Sequence, residues 1–188
     1  MMLIFPTIML VLKNEFSTGL ATLGMIVSLS TFMYGLGALP TGFLERKYGA
    51  YTLLLLYQIG TIISTIFIAK SHSLFTLTIG LIFAGLFASI YHPAGLTLIS
   101  HHSKKLSKGM AIHGIGGSLG LALGPMIGAG CTVLVSWRFA YITISIVNLL
   151  LLMITLISSK YWCDTPYTDP RENKNKSKTN KPALKYYY

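Results

Sequence analysis

The sequence predicts an all-α, polytopic membrane protein: a six-helix bundle in which a short first helix precedes five that cross the bilayer. Three observations carry that expectation. Of 188 residues, 53% are hydrophobic and only 11% charged, against about 25% charged in an average soluble domain. All 15 Lys+Arg and 5 Asp+Glu residues lie outside six uncharged stretches. Five of those stretches run 19 to 27 residues, enough to meet the roughly 20 that a helix needs to cross about 30 Å of hydrocarbon.

The first stretch, 1–12, ends before Lys13 and rises only about 18 Å, too little to span. It lacks the basic start of a signal peptide, so it reads as the end of a first helix that begins upstream. Residues 20–43 form the second helix, with Gly24, Ser28, Thr31, Gly35, Ala38 and Gly42 along one face. Residues 51–69 are the third. The fourth, 74–100, carries the small residues Gly80, Ala84, Ala88 and Gly95, and Pro93 inside it. The fifth, 109–135, holds Gly116, Gly120, Gly124 and Gly128 at four-residue intervals, with Pro125. Residues 139–159 are the sixth. In lipid, helices associate through close packing, so small-residue stripes imply a compact bundle. The two prolines each remove a backbone hydrogen bond; each marks either a static bend or a joint beside a pathway.

The bundle is thus expected over 1–159, followed by a tail, 160–188, whose Asn, Lys, Ser and Pro content and lack of large aliphatics predict a disordered linker. Lys and Arg set its orientation, because cytoplasmic links retain them. Alternate links plus the tail hold twelve of them, including Arg46, Lys47, Lys104, Lys105 and Lys108; the other side holds Lys13, Lys70 and Arg138. Both termini are therefore expected in the cytoplasm. The net charge of +10 reads as a topology signal near anionic lipid and not as a nucleic-acid footprint. Cys131 and Cys163 fall near opposite membrane faces, which excludes a disulfide between them within one chain.

The strongly polar groups inside the spans are Gln58, His92, His113 and Asn148. Ionisable groups at membrane depth are functional candidates, and a histidine can bind an anion or carry a proton near neutral pH. Counted from the cytoplasmic ends of the stretches, His92 lies about 12 Å deep and His113 about 6 Å deep. These four residues are the candidate substrate or proton pathway; the alternative for each histidine is a neutral ring hydrogen-bonded between helices.

Enzymatic classes fare badly. Gly116-Gly117-Ser118-Leu119-Gly120 matches the spacing around a nucleophilic serine, which would suggest an intramembrane protease of the rhomboid type. That motif needs a strand-to-helix turn, and here it lies in a helical glycine stripe, with His113 five residues away on the same helix facing elsewhere. No phosphate loop or metal-ligand spacing is present. No cofactor and no metal are expected.

Gly42-Phe43-Leu44-Glu45-Arg46-Lys47-Tyr48-Gly49 resembles the signature loop between helices two and three of the major facilitator superfamily, with Glu45 one place ahead of the family's acidic position. Gly120 to Ala129, including Gly124-Pro125 and Gly128, is similar to the fifth-helix motif of that superfamily's antiporters, and Ser136-Trp137-Arg138-Phe139 to the turn that opens helix six. Tyr91-His92-Pro93-Ala94-Gly95 and His113-Gly114-Ile115-Gly116-Gly117 resemble the fosmidomycin-resistance-like bacterial exporters. The resemblance covers nearly the whole chain, as the amino-terminal half of a twelve-helix transporter. It implies carriage of a small-molecule substrate across the cell (inner) membrane by alternating access, with proton coupling an open option. The family's helix-four arginine position aligns with Leu81; if coupling exists, His92 is the alternative proton carrier in this half, with the start of helix one or a second half as equal candidates. Three arrangements stay open: one half awaiting a second six-helix half, a homodimer of two copies, and a non-transporting membrane scaffold.

Overall fold

A computed structural model describes residues 3–161. Six helices follow in order: α1 (Ile4–Glu15), α2 (Leu20–Tyr48), α3 (Ala50–Ala69), α4 (Leu74–His102), α5 (Leu106–Leu134) and α6 (Trp137–Ile157), with a 3-10 turn, Ser158–Tyr161, closing the described chain. Five of them, all but α1, are long and apolar enough to cross a membrane. The expected tail and Cys163 lie outside the described residues.

The helices outrun the uncharged stretches. Glu45, Arg46 and Lys47 sit in the last turns of α2, and Lys108 in the first turn of α5. A charge must leave the hydrocarbon, but the backbone ladder that makes a helix continues into the headgroup layer, where those side chains are solvated. Counted from the true helix ends, His92 is therefore about 15 Å and His113 about 10 Å along its helix. Pro40, Pro93 and Pro125 all lie inside continuous helices. Pro40 escaped the sequence reading because it sits just before the polar end of the second stretch.

Short links force neighbours to run antiparallel. Gly49 alone joins α2 to α3, with φ +81° and its N–H donating to the Glu45 carbonyl at 2.8 Å; a side chain there would be strained, which accounts for the glycine. The α3–α4 link ends in a capping box: Ser73 accepts from the Thr76 N–H at 3.2 Å, and the Ser73 N–H donates to the Thr76 hydroxyl.

α4 packs chiefly against α2 and α3, α3 against α6, and α1 against α5. Exchanging α1–α2–α3 with α4–α5–α6 maps every packed pair onto another: α2·α4 onto α5·α1, α3·α4 onto α6·α1, α1·α2 onto α4·α5, α2·α3 onto α5·α6, and α3·α6 onto itself. Three helices per unit place the two units in opposite orientation, so the pairing pattern is that of an inverted repeat, densely packed for α2 and α3 on α4 and sparsely for α5 and α6 on α1.

Two apolar clusters hold it. The larger, with Phe5, Leu12, Leu23, Ile68, Leu77 and Trp137, fills the end away from the Lys-rich links; the smaller joins Leu53, Ile90 and Ala94 toward the Lys-rich end. Close approach happens at Gly80, which the α4 stripe includes and where an added Cβ would meet Ile68 of α3, and also at glycines outside the stripes. A Cβ on Gly85 would run into the Ser30 backbone, where the Ser30 hydroxyl donates to the Leu81 carbonyl at 2.7 Å, and Gly60 makes room for the Phe87 ring. On α5, by contrast, Gly116, Gly120 and Gly124 have nothing within 4 Å of an added Cβ, while Gly128 sits 3.3 Å from Ile4.

Candidate functional site

One group of titratable rings forms inside the half nearest the Lys-rich end. Tyr57 on α3, Tyr91 and His92 on α4 and His113 on α5 converge there. Ring centroids lie 5.1 Å apart for Tyr57 and Tyr91, 5.6 Å for Tyr91 and His113, which stack at 29°, and 5.8 Å for His92 and His113, which meet edge-on at 82°. The Tyr91 hydroxyl and His113 Nδ1 are 3.5 Å apart, a long contact in which either can donate. Gly95, one turn beyond Tyr91, makes space for the pair: a Cβ there would touch His113 Cε1 at 3.8 Å and Tyr91 Cε2 at 3.9 Å. The His92 ring is exposed and His113 half-buried.

The histidines are 21 positions apart in sequence and meet because the antiparallel α4–α5 turn folds them onto facing sides. Gln58 and Asn148, the other two sequence candidates, lie on a different surface. Both are buried in the α3–α6 seam, where Gln58 Nε2 donates to Thr155 Oγ1 at 3.0 Å, Thr65 and Ser145 hydroxyls meet at 2.6 Å, and Asn148 Nδ2 donates to its own-helix Ile144 carbonyl. Gln58 Oε1, Thr61 Oγ1 and Asn148 Oδ1 are buried with no protein partner. The seam thus behaves as interhelical glue with spare acceptors. Tyr57 was missed: a single tyrosine in an apolar span carries no signal until the α3–α4 register is known.

Pro93 follows His92 directly, leaving the Ser89 carbonyl without its helical amide. Pro125 stands beside Gly124 on α5. In the loop signature, Gly42, Leu44, Glu45 and Arg46 are the closing turns of α2, and Gly49 is the positive-φ turn. Arg46 and Lys47 are exposed, and Lys47 Nζ stands 5.1 Å over the Tyr48 ring.

The opposite end carries a clasp. Arg138, at the start of α6, pairs with Glu15 at 2.6 Å and donates to the Ser71 carbonyl at 2.9 Å, while Trp137 Nε1 donates to the same carboxylate. The guanidinium stacks 4.3 Å over the Trp137 ring. Burial pushes the Glu15 carboxyl up, but hydrogen bonds from Arg138 and Trp137 and the positive charge of Arg138 outweigh it, leaving the group below its ordinary value. Between the two ends, Phe5, Val27, Ser30, Leu81 and Tyr141 line a cavity of about one water's size, and the Tyr141 hydroxyl is buried without a protein partner.

Among the described residues no group of three or more His, Cys, Asp or Glu is placed to hold a metal. Five helices long and apolar enough to cross a membrane, paired in this order, define a multi-pass membrane protein. The Major Facilitator Superfamily profile matches residues 1–187, and the chain belongs to that family, whose members are carriers and not enzymes. Among curated proteins it is similar to the Quinolone resistance protein NorB of Staphylococcus aureus strain bovine RF122 / ET3-1, 27% identical over 149 residues, which cover 78% of this chain and 32% of the relative. The same protein from strains JH9 and Newman is 27% identical over 146 residues, 77% of this chain and 32% of theirs. The chain thus spans about a third of the length of the curated relatives it matches.

Proposed function

We propose that this chain is one six-helix unit of a secondary transporter that moves a small organic solute by alternating access, with His92 and His113 on the pathway. The observation that carries this reading is the inverted repeat within a chain that belongs to the superfamily, with the two histidines meeting at its membrane depth. The relatives' printed name supports export of quinolone-type compounds as the first substrates to try. Their greater length supports a second six-helix half as partner. The exposed Gly116 and Gly120 of α5 support a partner helix on that face; a second copy of this chain is the other occupant. The Lys-rich links support a cytoplasmic location for that end and for both termini. Gly42, Leu44, Glu45, Arg46 and Gly49 then form the link that turns between transporter states, and Pro93 and Pro125 its bends. His92 carries the proton if transport is proton-coupled.

The test is accumulation of a fluorescent quinolone in efflux-deficient bacteria. Cells express the chain alone, or with a second six-helix half, as wild type and His92→Ala. Lower accumulation that depends on His92 and on an imposed pH gradient is the expected result. Accumulation identical to vector controls in both pairings would sink the transport reading. If the chain alone is active, its mass in lipid nanodiscs should be that of a dimer.

A further inference from the structure

The ring cluster has a coordination chemistry that transport of an organic solute does not require. We infer that His92 and His113 together form a two-imidazole site for a divalent first-row transition-metal ion, with its remaining positions open to water or to a chelating solute. The inference rests on the pathway reading only in placing the ion on a transport route; the binding itself stands on geometry.

Zinc-bound imidazoles hold the metal at 2.0–2.1 Å from nitrogen, and a ring centre lies about 1.2 Å beyond, so two rings on one tetrahedral ion have centres about 5 to 5.5 Å apart. His92 and His113 stand 5.8 Å apart at 82°, close to that spacing, and side-chain rotation would have to turn one nitrogen of each ring toward the ion. They come from different helices, so an ion bound by both would tie α4 to α5. Tyr91 supplies the outer partner that such sites use: its hydroxyl lies at His113 Nδ1, holding that nitrogen and leaving Nε2 for the metal. Imidazole without thiolate or carboxylate suits Zn²⁺, Ni²⁺ and Cu²⁺ over Mg²⁺ or Ca²⁺. Two protein ligands make an open, exchangeable site, in contrast to the closed four-ligand set of a structural zinc. The exposed His92 ring gives the ion access.

The full chain, purified without a histidine tag and placed in phosphatidylcholine nanodiscs, is titrated with Zn²⁺ by calorimetry and with Cu²⁺ by electron paramagnetic resonance. Expected is one ion per chain, with copper spectra showing two equatorial nitrogens. His92→Ala and His113→Gln should each weaken binding at least about tenfold, and Tyr91→Phe, removing only the outer partner, by about tenfold. A His101→Ala/His102→Ala variant should bind as wild type. Circular dichroism and elution volume check folding, and His92→Ala, whose ring is exposed, keeps the test valid if His113→Gln unfolds. Zinc binding that is unchanged in His92→Ala, or lost in the His101/His102 variant, overturns the site. Quinolone flux that depends on His92 with no metal bound to wild type also overturns it while leaving the pathway reading standing. Metal binding that requires both histidines, in a chain whose flux ignores them, upholds the site and removes the pathway role.

Discussion

Gly85→Ala is the sharpest perturbation of the packing that defines this bundle. Gly85 faces Ser30 across the α2–α4 contact; an added Cβ would lie 3.1 Å from the Ser30 hydroxyl oxygen, 3.2 Å from its carbonyl carbon and nearer still to its carbonyl oxygen. Backbone cannot rotate away as a long side chain can, so the helices must separate. Overpacking of that kind costs about 1–3 kcal/mol. Separation also stretches the buried bond from the Ser30 hydroxyl to the Leu81 carbonyl, 2.7 Å long, and such interhelical bonds in membranes average about 0.6 kcal/mol. The expected total is about 2–4 kcal/mol of lost stability. Gly120→Ala is the matched comparison, since nothing lies within 4 Å of its added Cβ and alanine favours a helix over glycine by up to about 1 kcal/mol. Equilibrium unfolding in mixed micelles, followed by circular dichroism, reads both. If Gly85→Ala unfolds with wild type, or if Gly120→Ala is the more damaging of the two, the assignment of the close contact to α2–α4 is wrong.

Three further outcomes follow from the same geometry. Glu15→Gln and Arg138→Gln should each destabilise, with a double-mutant coupling of about 1 kcal/mol for this one-third-exposed pair; because the folded carboxyl titrates below its unfolded value, its contribution is present above the ordinary carboxylate range and lost as pH falls through the depressed value, a dependence that Glu15→Gln should abolish. Gln58→Leu should leave stability within about 1 kcal/mol of wild type, since it trades one bond to Thr155 for relief of a buried, partnerless Oε1; a large loss would mean the seam's spare acceptors are engaged. Gly49→Ala should cost about 1–3 kcal/mol in the same unfolding assay through its φ of +81°, and an unchanged midpoint would show that the α2–α3 turn relaxes into another conformation.

The number of helices, their approximate ends and the multi-pass class were legible because burial in hydrocarbon acts on each segment separately: a charge inside a span is expensive wherever its neighbours are. Gly49 stood in the sequence as part of the loop signature, and the structure supplies the local reason for it, a turn whose φ of +81° favours glycine. Pairing between helices is a different kind of quantity. The stripe Gly116, Gly120, Gly124 and Gly128 has the spacing of a contact face, yet of the four only at Gly128 would an added Cβ meet another helix, while on α4 the stripe's Gly80 and also Gly85, outside it, make tight approaches. Spacing states that a helix could be approached closely; register and crossing angle decide where it is. The same holds for the polar residues. Gln58, Asn148, His92 and His113 stood in the sequence as one candidate pathway, with the histidines foremost, and tertiary packing separated them into an α3–α6 seam and an α4–α5 ring pair. The chain by itself determined which segments enter the membrane, through a solvation energy additive along the sequence. Only the tertiary structure decided which side chains meet, because that depends on rotations and offsets between rigid helices whose apolar surfaces are nearly interchangeable to lipid.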